Sequence, residues 1–104
     1  MEILLKKEQL NQLFDLYQSL LTDKQRLYFD LYYQQDYSLH EIAELYDVSR
    51  NAVFDHLKKV EDHLLNYEEK LGLYALKTKR QALLDTYQKT KDEAILVALR
   101  KLDE

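Results

Sequence analysis

Apolar residues recur along this chain in steps of three and four, the spacing of amphipathic helices rather than strands. Leu10, Leu13, Phe14, Tyr17, Leu20 and Leu21 mark a first helix. Thr22 with Gln25 forms a Thr-x-x-Gln capping box that opens a second, faced by Leu27, Tyr28, Leu31 and Tyr32. A polar bend at Gln34 to Tyr37 follows.

The next stretch, SLHEIAELYDVSRNAVFDHL from Ser38 to Leu57, has the spacing of a helix-turn-helix. Ser38 and Glu41 form a second capping box, and Ile42, Ala43 and Leu45 supply the apolar face of the short helix it starts. Ala43 stands where a side chain must be small for another helix to cross closely. Asp47 falls at the turn, in a place that usually requires φ > 0, which Asp tolerates better than most residues. Val48 is expected to plug the turn into the core. Ser49 caps the next helix, and Val53 and Leu57 carry the apolar repeat onward.

That helix meets no stop signal until Gly72, which suits a left-handed cap followed by apolar Leu73. Val53, Leu57, Val60, Leu64, Tyr67 and Leu71 alternate in steps of four and three, an a/d seam of about two and a half heptads. Leu76, Leu83, Leu84 and Tyr87 give a further helix, and Asp92 and Glu93 open a last one carrying Ile95, Leu99 and Leu102. The tail either packs over the seam within one chain or exchanges with a second copy, and the length of the seam favours a homodimer. The expectation is an all-α, single-domain protein over residues 1–104, with a helix-turn-helix core at 1–73, a long recognition helix and a C-terminal helical extension at 74–104.

Composition sharpens this picture. The chain of 104 residues has no proline, no cysteine and one glycine, which suits continuous helix and a reducing compartment. No apolar run approaches the ~18 residues of a membrane span, so no membrane insertion is expected and a cytoplasmic location is the simplest reading. No Gly-rich phosphate loop or nucleophile elbow stands in the chain, and His40, His56 and His63 are scattered without a third ligand to close a zinc site. Nothing points to an enzyme, a cofactor or a metal.

Charge pulls against the motif. The net value is −4, and the helix-turn-helix block at 38–73 is the most acidic part, with 4 basic and 8 acidic side chains. Only 74–104 is basic, with 7 against 5. Duplex binding draws heavily on neutralised phosphates, so this chain is poorly equipped to grip DNA unaided.

The strings LFDLYQSLLTDKQRLYFDLYYQQDYSLHEIAELYDVSRNAVFDHL and YEEKLGLY resemble the YlxM-like family of small bacterial helix-turn-helix proteins, over most of residues 10–75. That resemblance implies a cytoplasmic, non-enzymatic regulator or accessory factor related to DNA-binding region 4 of sigma factors. It also implies a link to the signal recognition particle pathway, through the particle's GTPase. Against the sigma-like pattern, Val48, Ser49, Ala52, Val53 and Leu57 match framework positions and Arg50 is retained as a phosphate or base contact. Phe54, Asp55 and His56, then Glu61 and Asp62, occupy outward positions where sigma factors carry basic and small polar residues. The framework is kept while the reading surface is not, as if the motif were redirected toward a protein or structured RNA.

Ser49, Arg50, Asn51, Lys58 and Lys59 form the best candidate nucleic-acid face, with the free amides of a helix N-terminus beside them. The plainer alternative is that Lys58 and Lys59 pair with Asp55, Glu61 or Asp62 at helical spacing. Lys24 and Arg26 open the second helix, where sigma-like folds approach backbone phosphate; a plain surface role is the other reading. Phe54 and His56 are the candidates for contact with a protein partner. Among the nine tyrosines, Tyr33 and Tyr37 fit the apolar stripes poorly, as does Phe54, which suits an interface or stacking on unpaired bases. The basic tail, Lys77, Lys79, Arg80, Lys89, Lys91, Arg100 and Lys101, offers either a binding stripe or ordinary solvated faces. Two functions follow: an accessory factor that binds the signal recognition particle RNA, its GTPase or both, and a helix-turn-helix transcription regulator that binds DNA as a dimer.

Overall fold

In the computed structural model, which describes residues 2–103, the chain runs α1 (Glu2–Tyr17), a 3-10 turn (Gln18–Leu20), α2 (Asp23–Phe29), a π-helical turn (Asp30–Gln34), α3 (Leu39–Tyr46), α4 (Arg50–Leu71), α5 (Leu73–Thr90) and α6 (Glu93–Leu102). No strand occurs among the described residues, and the fold is all-α. It divides into two compact units, Met1–Leu71 and Gly72–Glu104.

The first unit is built around α4, against which α1, α2 and α3 pack. Its core is Leu10, Leu13, Phe14 and Tyr17 of α1, Tyr28 and Phe29 of α2, and Val53, Leu57, Val60 and Leu64 of α4, with Ile42 and Ala43 of α3. Both capping boxes form as the local sequence requires: Thr22 and Ser38 each accept from the amide three residues on, and Gln25 and Glu41 reach back to the cap amides. These reciprocal bonds satisfy orphan helix donors at two chain reversals.

Three expectations change. Leu20 and Leu27 are exposed instead of buried, and Phe29 is fully buried. Tyr33 rather than Tyr32 enters the core, because the helix widens into a π turn: the amide of Gln35 donates to Asp30 O at 2.9 Å, five residues back. The wider turn brings residues four apart into register, so Phe14, Phe29 and Tyr33 stack in series, with centroids 4.3 and 4.5 Å apart. The bend then closes through Asp36 at φ 59° and a 2.9 Å bond from Tyr37 N to Leu31 O.

The seam on α4 is also put to a different use. Val53, Val60 and Leu64 are 0% exposed and Leu57 3%, so helices of the same chain already cover them. Those four residues cannot also pair two chains; only Leu71, at the far end, remains exposed.

The second unit is a hairpin of α5 and α6. Gly72 takes φ 62°, the left-handed position expected of it, and its carbonyl accepts from Leu76 N at 3.0 Å. Asp92 caps α6 by accepting from Ala94 N at 3.0 Å, and Arg80 of α5 pairs with Asp103 after α6. No side chain of α5 or α6 is fully buried among the described residues.

Candidate nucleic-acid interface

The helix-turn-helix is built by local bonds. Asp47 adopts φ 52°, ψ 50° and ends α3, and Val48 N–H closes the turn on Ala43 O at 3.0 Å. Ser49 Oγ accepts from Ala52 N–H at 3.0 Å, capping α4 as its sequence implies. Ile42 and Ala43 are buried against α4, so the small residue stands at the crossing. Leu45 and Val48 are not core residues as expected: they are 58% and 40% exposed. At about 100° per residue, Leu45 lies about 110° from the middle of the Ile42–Ala43–Tyr46 face, which turns it to the rim.

With Val53, Leu57, Val60 and Leu64 turned inward, the opposite side of α4 is free. Arg50, Asn51, Phe54, Asp55, Lys58 and Lys59 are all exposed, and Phe54 retains 55% of its surface. The same helical geometry divides them into two flanks around Asn51 and Asp55. One flank carries Arg50, Phe54 and Lys58; the other carries Lys59, and beyond it His56.

The cations differ in how free they are. Lys58 Nζ lies 4.0 Å from Glu61 Oε2 and 3.9 Å from Asp62 Oδ1, the local pairing that helical spacing offers. Arg50 and Lys59 stand exposed on the two flanks of α4. Lys24, on α2, holds its ammonium 5.7 Å from the centroid of Tyr28. Arg26 is committed elsewhere: its guanidinium donates to the carbonyls of Gln18 and Leu21, both at 3.1 Å, and pairs with Asp23. It ties the 3-10 turn to α2, the plainer of the two roles weighed for it.

His56 is also less available than its outward position suggested. Its ring packs on Tyr28 at 4.5 Å, and Nε2 is buried without a hydrogen-bond partner among the described residues. Burial pushes its pKa down, helped by the charges of Lys24 and Lys59, while a hydrogen bond with the Lys24 backbone opposes the shift. The imidazole is therefore neutral near pH 7, part of a Tyr46–Tyr28–His56 aromatic group that joins α3, α2 and α4.

The residue that sequence reasoning missed is Glu61. It reads as one of many solvated carboxylates, yet it is the buried charged side chain of the core, 9% exposed. Tyr33 O–H donates to its Oε1, and Lys6 Nζ lies 3.7 Å from Oε2. The poor fit of Tyr33 to the apolar stripe was the signal that a polar partner awaited it. Desolvation, with the hydrogen bond to Glu61 and the nearby carboxylate charge, drives the Tyr33 phenol pKa well above its usual range.

Among the described residues no group of three or more His, Asp or Glu side chains stands where it could hold a metal ion. No described helix is long and apolar enough to cross a membrane.

A four-helix core that presents the N-terminal turns of its longest helix, after a capped α3 and a left-handed turn, defines a helix-turn-helix protein. Comparison with known families agrees: residues 4–101 match the UPF0122 family, described as "Putative helix-turn-helix protein, YlxM / p13 like". The chain belongs to that family. It is 47% identical over 106 residues to a UPF0122 protein of Bacillus pumilus, covering 94% of this chain and 96% of the relative. It is 48% identical over 103 residues to UPF0122 protein BH2485 of Halalkalibacterium halodurans, covering 94% of each. UPF0122 protein EAT1b_2891 of Exiguobacterium sp. shares 52% identity over 84 residues, covering 81% of this chain and 78% of the relative.

Proposed function

We propose that the protein is a cytoplasmic nucleic-acid-binding accessory or regulatory factor of the signal recognition particle pathway, binding the particle's RNA, its GTPase or both. The observation that carries the nucleic-acid part is the free side of α4, where Arg50, Asn51 and Lys59 stand exposed on a helix whose other side is fully committed to the core. The pathway rests on the likeness to YlxM-type proteins. Structured RNA suits the surface better than a bare duplex, because residues 1–71 hold 8 basic against 14 acidic side chains and Asp55 sits amid the reading face.

The second reading, a transcription regulator that binds DNA as a homodimer, uses the same α4 face. Its dimer needs a surface other than the Val53–Leu64 stripe, which the chain itself covers. Titrating the full-length protein with duplex DNA and with the particle's RNA over a range of salt separates the two. Tighter, salt-sensitive binding to the RNA supports the accessory factor. Binding confined to duplex DNA supports the regulator, and binding to neither removes the regulator and leaves the accessory factor only the GTPase as ligand.

A further inference from the structure

Beside the Arg50–Phe54–Lys58 flank of α4 lie two adjoining cavities of about 460 and 160 Å³. Lys6, Tyr32, Tyr33 and Glu61 line both; the larger continues to Lys7, Asp36 and Tyr37, the smaller to Phe54 and Lys58. Their chemistry is unusual for a surface groove. Three aromatic side chains with exposed area, Tyr32, Tyr37 and Phe54, stand around the withdrawn carboxylate of Glu61; exposed Asp36 lies at the end where Lys7 stands, and Lys58 lies at the other.

The carboxylate is held in place. Glu61 is 12% exposed at its side chain, its Oε1 accepts from Tyr33 O–H, and Lys6 and Lys58 lie 3.7 and 4.0 Å from Oε2. Two oxygens offer about four acceptor positions, so these contacts leave room for a further N–H donor. The volume of the larger cavity falls within the roughly 300–1,000 Å³ of small-ligand clefts.

We propose that this groove receives one unpaired nucleotide whose base carries an exocyclic amine. The inference deepens the nucleic-acid reading of α4 and rests on it. The base stacks on Tyr32 or Tyr37, a contact any base supports. Its amine donates to Glu61; uracil offers only N3–H, flanked by two carbonyl oxygens that the carboxylate repels, so amine-bearing bases are preferred. Lys6, the more exposed of the two lysines, meets a flanking phosphate, whereas Lys7 is held by Asp36 at 2.7 Å; Phe54 links the groove to the face where Arg50 holds the adjoining backbone. This arrangement explains how a net-acidic protein binds nucleic acid: stacking and one directed acceptor replace a broad basic surface. It also gives a use to Tyr37 and Phe54, which the apolar stripes leave unexplained.

The test uses the full chain and two probes. The first is adenosine 5′-monophosphate, followed by NMR shifts of the tyrosine and Phe54 ring signals. The second is an RNA hairpin with 2-aminopurine in its loop, compared with the same RNA fully paired and with a loop uracil. Expected are shifts at Tyr32 and Tyr37, quenching of loop 2-aminopurine, and roughly tenfold preference for the amine-bearing loop over uracil. Tyr32→Ala combined with Tyr37→Ala should remove the quenching, and Glu61→Gln should erase the preference, while binding of the paired RNA is unchanged. If all three RNAs bind equally and no quenching occurs, the groove proposal fails and the α4 reading stands. If adenosine monophosphate shifts the tyrosines but no RNA binds, the groove survives and the reading of α4 fails. Shifts caused by an amphipathic helical peptide, with none from the nucleotide, overturn the proposal in favour of a protein ligand.

Discussion

Tyr33 and Glu61, separated by 28 residues, meet in the core of the first unit, where the phenol donates to a carboxylate that is almost wholly withdrawn from water. The pair joins the π turn after α2 to the middle of α4, so the geometry of the reading helix is tied to a hydrogen bond rather than to apolar packing alone. Removing the donor takes the phenol hydrogen bond from Glu61 Oε1 and leaves the carboxylate only the looser contacts of Lys6 and Lys58 with Oε2. Tyr33→Phe should therefore cost about 1–3 kcal/mol of stability in urea unfolding. Glu61→Gln keeps an acceptor for the phenol and should cost less. Equal stability of Tyr33→Phe and the parent would show that the bond contributes nothing.

His56 gives the fold a pH dependence. Its pKa lies below the ordinary 6.5, first because it is buried, then because Lys24 of α2 and Lys59 of α4 act on it; the ring of Tyr28 packs against it. The unfolded chain takes up the proton more readily than the folded one. Stability is thus fully present above pH 6.5 and declines as pH falls from there through the lower folded pKa. A His56→Gln variant should show a flatter stability profile over that interval. An NMR titration giving His56 a pKa at or above 6.5 would contradict the assignment.

The left-handed turn at Asp47 can be tested by itself. A non-glycine residue at φ 52° carries backbone strain that Asp tolerates and a β-branched residue does not. Asp47→Gly should be neutral or stabilising, whereas Asp47→Val should cost about 1–2 kcal/mol, measured as a fall in the unfolding midpoint.

The parts of the fold that were legible in the sequence are those written in a few neighbouring residues. The Thr22–Gln25 and Ser38–Glu41 boxes, the turn at Asp47, the cap at Ser49, the helix start at Asp92 and the glycine at 72 each act within one helical turn, and each forms as read. What was not legible depends on tertiary context. One π turn moved the core position from Tyr32 to Tyr33, which a fixed 3.6-residue period cannot register. The a/d stripe of α4 looked like a dimer seam because a coiled coil and the central helix of a bundle share that spacing; only the presence of α1, α2 and α3 around it tells them apart. Arg26 reads as a surface cation until the carbonyls of Gln18 and Leu21 come within its reach. The candidate reading face itself, Arg50, Asn51 and Phe54, was visible as whatever the buried stripe left over.

Charge reversal discriminates among the cations of α4. Arg50 and Lys59 are exposed, whereas Lys58 shares its charge with Glu61 and Asp62. Arg50→Glu with Lys59→Glu should weaken nucleic-acid binding and lower the slope of log affinity against log salt by about 2, one for each lost phosphate contact. Lys58→Gln should change it less. An unaltered slope in the folded double variant would move the binding surface off this helix.

Phe54 separates binding from folding. An aromatic ring 55% exposed at the edge of the α4 core stripe contributes less to the interior than the fully buried Val53 or Leu57. Phe54→Ser should thus leave the unfolding midpoint within about 0.5 kcal/mol of the parent and preserve helicity by circular dichroism. Its loss should be felt where a ligand covers the ring, since burying an aromatic surface stabilises a complex by more than its exposure costs the free protein. Binding of the particle's RNA or GTPase should fall roughly tenfold or more, with most of the change in the dissociation rate. A large drop in stability with unchanged affinity would place Phe54 among the packing residues and leave Arg50 and Lys59 to carry the interface.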